Sequence, residues 1–226
     1  MSLVSFENND NFIRNAVTIA GEARPWSGAT IRKVSTGGLP VPLEDIMDDL
    51  RIDDPDEESE VMDRMARGAC AFIERRTGYA LLPTVYELTA SAWWTGGLEV
   101  NLAPVREVEA ISYQSGRNVW VDVDGEKFWH TDKGRSFVLR PLSTFDRPQL
   151  WQPEDSVRVR FSAGFDAADE SGGERPIEDG LRTILTMITG HYYANRELLG
   201  AADAVSGVQA VELGATSLLG QYRQFW

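Results

Sequence analysis

Leu43, Ile46, Met47 and Leu50 recur at i, i+3, i+4 and i+7, which predicts one face of a short helix with Pro42 near its first turn and an acidic opposite face. A second helix follows with full punctuation. Asp54 is its expected N-cap, Pro55 its first residue, and Asp56, Glu57 and Glu58 stand against the positive end of the dipole. Val61, Met62, Met65, Ala69, Phe72 and Ile73 carry the apolar stripe to Arg75 and Arg76 in the last turn, and Gly78 stops it. Cys70 lies beside that stripe and reads as a small core residue, with no polarising base nearby in sequence.

From residue 80 the period shortens to two. Short β runs separated by turn signals occupy 84–92, 98–102, 108–113, 119–123, 127–131, 136–139 and 156–162, several of them alternating cleanly, and seven such runs predict a small antiparallel sandwich or barrel. In Val157-Arg158-Val159-Arg160-Phe161 the apolar side chains take one face and the arginines the other, as on a sheet with one wet side. Asp124-Gly125 is the strongest hairpin signal.

Helical period returns after Gly172-Gly173. Pro176 opens it, and Ile177, Leu181, Ile184, Leu185, Ile188 and Tyr192 fall on one face of a helix of about 20 residues. Gly180 and Gly190 inside it each cost about 1 kcal/mol against alanine, so packing must hold it. Residues 200–207 read as a linker and 215–222 as a last short helix. Residues 1–40 are polar, Gly-rich and without sustained period, and read as an extended or partly disordered arm. The expected organisation is thus an arm (1–40), a helical scaffold in two parts (41–79 and 165–226) and an inserted antiparallel β domain (80–164), an α+β fold without internal repeats.

Composition adds limits. The chain has 226 residues, 42% hydrophobic and 25% charged, which is ordinary for a globular protein and excludes disorder throughout. One cysteine forms no internal bridge and fits a reducing compartment. The net charge of −13 is concentrated: residues 41–63 hold eleven carboxylates against one base, Arg51, a local charge of −10. No basic block exists to neutralise phosphates, so tight binding to DNA or to an anionic membrane is not expected. No run approaches the roughly 20 apolar residues of a membrane span, and cytoplasmic synthesis is expected.

A search for chemistry finds little. The two histidines, His130 and His191, lack metal-ligand spacing. The stretch from Asp122 to Glu126 begins like a calcium loop, but its twelfth position is Lys133. A nucleophile elbow, a phosphate-cradling loop and a dinucleotide fingerprint are all missing. The acidic block would serve a carboxylate-dependent hydrolase only if two carboxylates flanked a cleft with one of them buried, and a solvated helix face is the favoured reading. Trp93, Trp94, Trp120, Trp129 and Trp151 cluster in the β region; as core residues they are unremarked, as exposed ones they would suit a carbohydrate- or ligand-binding module. Neither catalytic residues nor a metal or cofactor are expected. At the C-terminus Tyr222, Arg223, Phe225 and Trp226 form an aromatic and arginine group typical of interfaces.

The order of these pieces resembles the head-tail connector (adaptor, or head-completion) proteins of long-tailed bacteriophages, prophages and gene transfer agents. The resemblance rests on Val41-Pro42-Leu43-Glu44-Asp45-Ile46, Leu50-Arg51-Ile52-Asp53 and Ile73-Glu74-Arg75-Arg76-Thr77-Gly78. It continues through the β segment to Val157-Arg158-Val159-Arg160-Phe161-Ser162-Ala163-Gly164-Phe165, then Pro176-Ile177, Gly190-His191-Tyr192-Tyr193-Ala194-Asn195-Arg196-Glu197 and Leu218-Leu219-Gly220-Gln221-Tyr222-Arg223. Two features depart from it: Gln221 stands where a proline is common, and the arm before Val41 is long.

The resemblance implies a structural virion protein at the head-tail junction, made in the host bacterial cytoplasm, and not an enzyme. Its copies form a ring, commonly of twelve, that docks beneath the portal protein and receives a stopper or tail-completion protein, with DNA only as transient traffic. It assigns Leu218, Leu219, Tyr222, Arg223, Phe225 and Trp226 to contact with the portal or a neighbouring subunit. A ring of identical copies needs two different complementary patches rather than a cleft. If the first two helices line or rim it, Asp45, Asp48, Asp49, Asp56, Glu57 and Glu60 form an acidic face that repels DNA.

Overall fold

The computed structural model describes residues 17–19, 29–134, 136–151, 155–168, 175–195 and 214–222. The chain divides into two compact units, one of residues 37–83 with 165–225 and one built on residues 1–36 with 84–164. The first is helical and the second holds two antiparallel sheets, an α+β fold.

The helical unit contains α1 (Leu43–Leu50), α2 (Pro55–Thr77) and α3 (Asp179–Ala194). α1 buries Ile46 and Met47 and ends at Arg51, whose left-handed φ of 54° turns the chain. In α2 the expected caps operate. The Asp54 carboxylate accepts from the Glu57 N–H at 3.3 Å, and Gly78, at φ 84°, donates its N–H to the Glu74 carbonyl. Met62, Ala66, Ala69, Cys70 and Ile73 form the fully buried stripe. Glu74 is buried too, but its Oε1 accepts from the Leu81 N–H at 2.8 Å, so the carboxylate fixes the chain leaving the helix.

α3 starts at Asp179, three residues later than Pro176 predicts. The cause is local: Arg175 and Asp166 are tied by the Asp166 N–H to the Arg175 carbonyl (3.0 Å) and the Arg175 N–H to the Asp166 carboxylate, and Glu178 stays extended at ψ 139°. Leu181, Ile184, Leu185 and Ile188 point inward as expected. The two costly glycines are close-approach sites. A Cβ on Gly190 would lie 2.5 Å from Leu50 Cδ2 of α1, and one on Gly180 would press on the Tyr222 ring.

All seven expected β runs are strands: β3 (Thr84–Ala90), β4 (Leu98–Val100), β5 (Val105–Gly116), β6 (Val119–Asp122), β7 (Phe128–Asp132), β8 (Phe137–Pro141) and β9 (Val157–Ala163). Two more lie in the segment read as an arm, β1 (Val17–Ile19) and β2 (Ala29–Thr36). Residues 1–16 and 20–28 of that segment, and the 200–207 linker, lie outside the described residues. The sheets run β1-β4-β8-β7 and β2-β3-β9-β5-β6. They meet across Phe137 of β8 and Phe161 of β9, with ring centroids 5.1 Å apart.

The hairpin expected at Asp124-Gly125 does not form. β6 belongs to the five-stranded sheet and β7 to the four-stranded one. The Asp124 carboxylate accepts from the Glu126 N–H at 3.0 Å and caps a single 3-10 turn, Gly125–Lys127, through which the chain changes sheets.

On the outer face of the five-stranded sheet the arginines of β9 are paired, Arg158 with Glu87 at 3.2 Å and Arg160 with Glu109 at 2.7 Å. In the other sheet Glu99 is half-buried. Burial opposes its ionisation, but the Ser136 hydroxyl (2.8 Å) and the Lys133 ammonium (3.0 Å) outweigh it and hold the carboxyl below its ordinary range. A lowered folded-state pKa contributes stability that is complete above the unfolded value and disappears as pH falls through the folded one. Glu99→Gln is therefore expected to flatten the acid limb of a Tm-against-pH profile below about pH 4.5. An unchanged limb would show that the pair contributes nothing.

Candidate functional site

The C-terminal contact segment is partly a packing element. Residues 214–219 are helical and Gly220–Tyr222 form a 3-10 turn. Leu218 is 47% exposed, whereas Leu219 is 1% exposed. Leu219 therefore anchors the segment in the helical unit. Tyr222 is half-buried with its ring against Gly180, so it too fixes the segment's course. Arg223, Phe225 and Trp226 lie outside the described residues.

The acidic faces are largely wet. Asp48, Asp49, Asp56, Glu57 and Glu60 are exposed, while Asp45 accepts from Arg182 of α3 at 2.8 Å. That ion pair is itself about two-fifths exposed, so its worth is about 1 kcal/mol or less. A hydrolase would need a buried member in a carboxylate pair. Glu44 and Asp63 share a groove of about 360 Å³, but Glu44 is exposed and Asp63 is paired with Arg67 at 2.9 Å. His130 is exposed on β7, and the Nδ1 of His191 lies 3.0 Å from the Asn195 amide. Among the described residues no group of three or more His, Cys, Asp and Glu is placed to hold a metal ion.

The tryptophans divide. Trp93 and Trp94 pack with Phe128 and Phe145, and each indole N–H is satisfied, by the Pro148 and Leu139 carbonyls. Trp120 is covered by the Arg158 guanidinium, 4.0 Å from its ring centroid. Trp129 and Trp151 remain 58% and 56% exposed. Sequence reasoning missed the surface around Trp129, because a hairpin at Asp124-Gly125 would have closed it. With β6 and β7 in separate sheets, a cleft of about 550 Å³ opens there.

No protein-family model and no curated protein sequence matches the chain. Solved structures do. A chain in the structure of the neck of the empty gene transfer agent particle, computed with C6 symmetry, superposes with a TM-score of 0.68 at 23% identity, over 87% of this chain and 96% of that one. The two chains share a fold. The same fold recurs, at 23% identity and equal coverage, in the virion of the native gene transfer agent particle (TM-score 0.64) and in its neck computed with C12 symmetry (TM-score 0.60). The shared fold covers residues of both compact units.

Proposed function

We propose that this chain is a structural virion neck protein, a head-tail connector whose copies close into a ring between the portal and the stopper or tail-completion protein. The observation that carries the reading is the neck fold itself, matched over 87% of the chain. Physical features support it. The hydrated acidic helix faces and, in the sequence, the aromatic and arginine residues over 222–226 are chemically different groups, which suits an assembly built from one repeated heterologous contact. Asp48, Asp49, Asp56, Glu57 and Glu60 at a ring's rim or lumen would repel DNA and let it pass without being gripped.

The purified chain, mixed with its cognate portal, is expected to add a ring of density to the portal in electron micrographs. A monomer in free solution agrees with this, because the portal can template closure. A portal that images unchanged with excess chain present would overturn the reading, and a lumen lined with Lys and Arg would overturn the role given to the carboxylates. Exposed Trp129 and Trp151 favour a second reading, a carbohydrate-binding module. A glycan array with no signal that Trp129→Ala or Trp151→Ala removes would dismiss it.

A further inference from the structure

The cleft of about 550 Å³ where β6 and β7 part lies within the β unit and has the size of a small-molecule site, about 300–1,000 Å³. Its floor is apolar: Ile111 and Leu139 are buried and Phe128 half-buried. Its charged lining is of one sign, Glu109, Asp122 and Glu126, with neither Lys nor Arg. Glu109 is already matched by Arg160 at 2.7 Å. Asp122 and Glu126 are exposed, and neither carboxylate is paired with a cation among the described residues. The Trp129 ring, 58% exposed, differs from those of Trp93, Trp94 and Trp120 in meeting no other ring and no cation among the described residues. Arg140, its register partner on β8, is exposed, makes no cation–π contact with it and is not among the residues lining the cleft.

The chain shows elsewhere what such groups hold. On the outer face of the five-stranded sheet the Arg158 guanidinium lies 4.0 Å from the Trp120 centroid and 3.2 Å from a Glu87 carboxylate oxygen, a cation between an indole and a carboxylate. The cleft presents an indole and two carboxylates with no cation of the chain's own. Asp122, Glu126 and His130 do not converge as a metal site, and the apolar floor suits methylenes rather than a bare ion. A sugar, whose hydroxyls both donate and accept, would meet no side-chain hydroxyl or amide in the lining. We propose that the cleft binds an aliphatic di- or polyamine, with its methylenes on Ile111, Phe128 and Leu139, one ammonium against the Trp129 ring and the charges matched by Asp122 and Glu126. Two unmatched carboxylates call for two ammonium groups, which a diamine carries and a single lysine side chain does not. Exposed ion pairs are weak singly, so the expected affinity is modest. The site lies in one compact unit and needs no neighbouring copy, so it stands apart from the ring reading.

Calorimetric titration of the full chain with cadaverine and with spermidine tests this. Each should bind saturably with a Kd of about 1 mM or below, and pentanediol, which has the methylenes of cadaverine and no charge, should not bind in that range. Trp129→Ala, and Asp122→Asn together with Glu126→Gln, should each raise the Kd about tenfold. Trp151→Ala, at the other exposed tryptophan, should leave it unchanged. These side chains are exposed, so the variants should keep the parent Tm, which circular dichroism checks. Binding that survives the cleft variants, or that Mg²⁺ at equal charge abolishes, would reveal counter-ions gathered by the net charge of −13 and overturn the site. Tighter binding of the peptide acetyl-Gly-Lys-Gly-amide than of cadaverine would overturn the diamine in favour of a lysine on a partner chain. No saturation below about 10 mM would overturn the cleft as an amine site.

Discussion

Phe161→Ala is expected to destabilise the β unit by about 3–5 kcal/mol, the range for removing a buried aromatic from a close-packed core. Phe161 is fully buried on β9 and touches both sheets: it stacks on Tyr86 of β3 with centroids 5.5 Å apart and meets Phe137 of β8 edge-on at 5.1 Å. Its removal takes away transfer free energy and leaves a void between two hydrogen-bonded layers that collapse poorly around it. Against a typical domain stability of about 5–15 kcal/mol, that is enough to shift the urea midpoint strongly and to populate unfolded β unit at moderate temperature. Phe161→Leu keeps more of the volume and should cost less. Equal losses from the two variants, or a loss near 1 kcal/mol from alanine, would mean that the inter-sheet core does not depend on this ring.

Phe161 was legible because its strand is regular. Val157, Val159 and Phe161 alternate with Arg158 and Arg160, and no neighbour competes for the pattern. α2 was legible for a similar reason, since Asp54, Pro55 and Gly78 act on the backbone within a few residues of themselves. β2 was hidden. Only Ala29 and Ile31 of its eight residues are buried, and the bulge after Lys33 breaks the alternation, so its strand character comes from pairing with β3. Such an edge strand is set by a partner distant in sequence. The misplaced hairpin has the opposite origin. Asp124-Gly125 did turn the chain, but local turn chemistry does not decide which sheet the next strand joins. In the candidate site the acidic residues were legible as exposed, while Leu218 and Leu219 are adjacent and only packing tells which one faces inward. The cleft at Trp129 had no sequence signature, because it arises from two strands parting.

Deleting residues 223–226 is expected to weaken attachment to the portal at least about a hundredfold, because the deletion takes the aromatic and arginine end and spares the Leu219 anchor. Deleting 218–226 should add a loss of about 2 kcal/mol or more, since it also strips Leu219 from the helical core and Tyr222 from Gly180. The pair of deletions separates contact from anchorage, which the longer one alone confounds. Gly180→Val tests the anchor from the other side. A branched side chain there meets the Tyr222 ring, whose Cζ lies 3.2 Å from a Cβ at that position, so the terminal turn must shift although every terminal residue is present. Attachment measured by portal pull-down should then fall with the tail sequence intact. A chain lacking 223–226 that still binds the portal within about twofold would sink the terminal assignment. If Gly180→Val alone then lost binding, the portal contact would instead fall on the exposed side of the last helix, at Leu218.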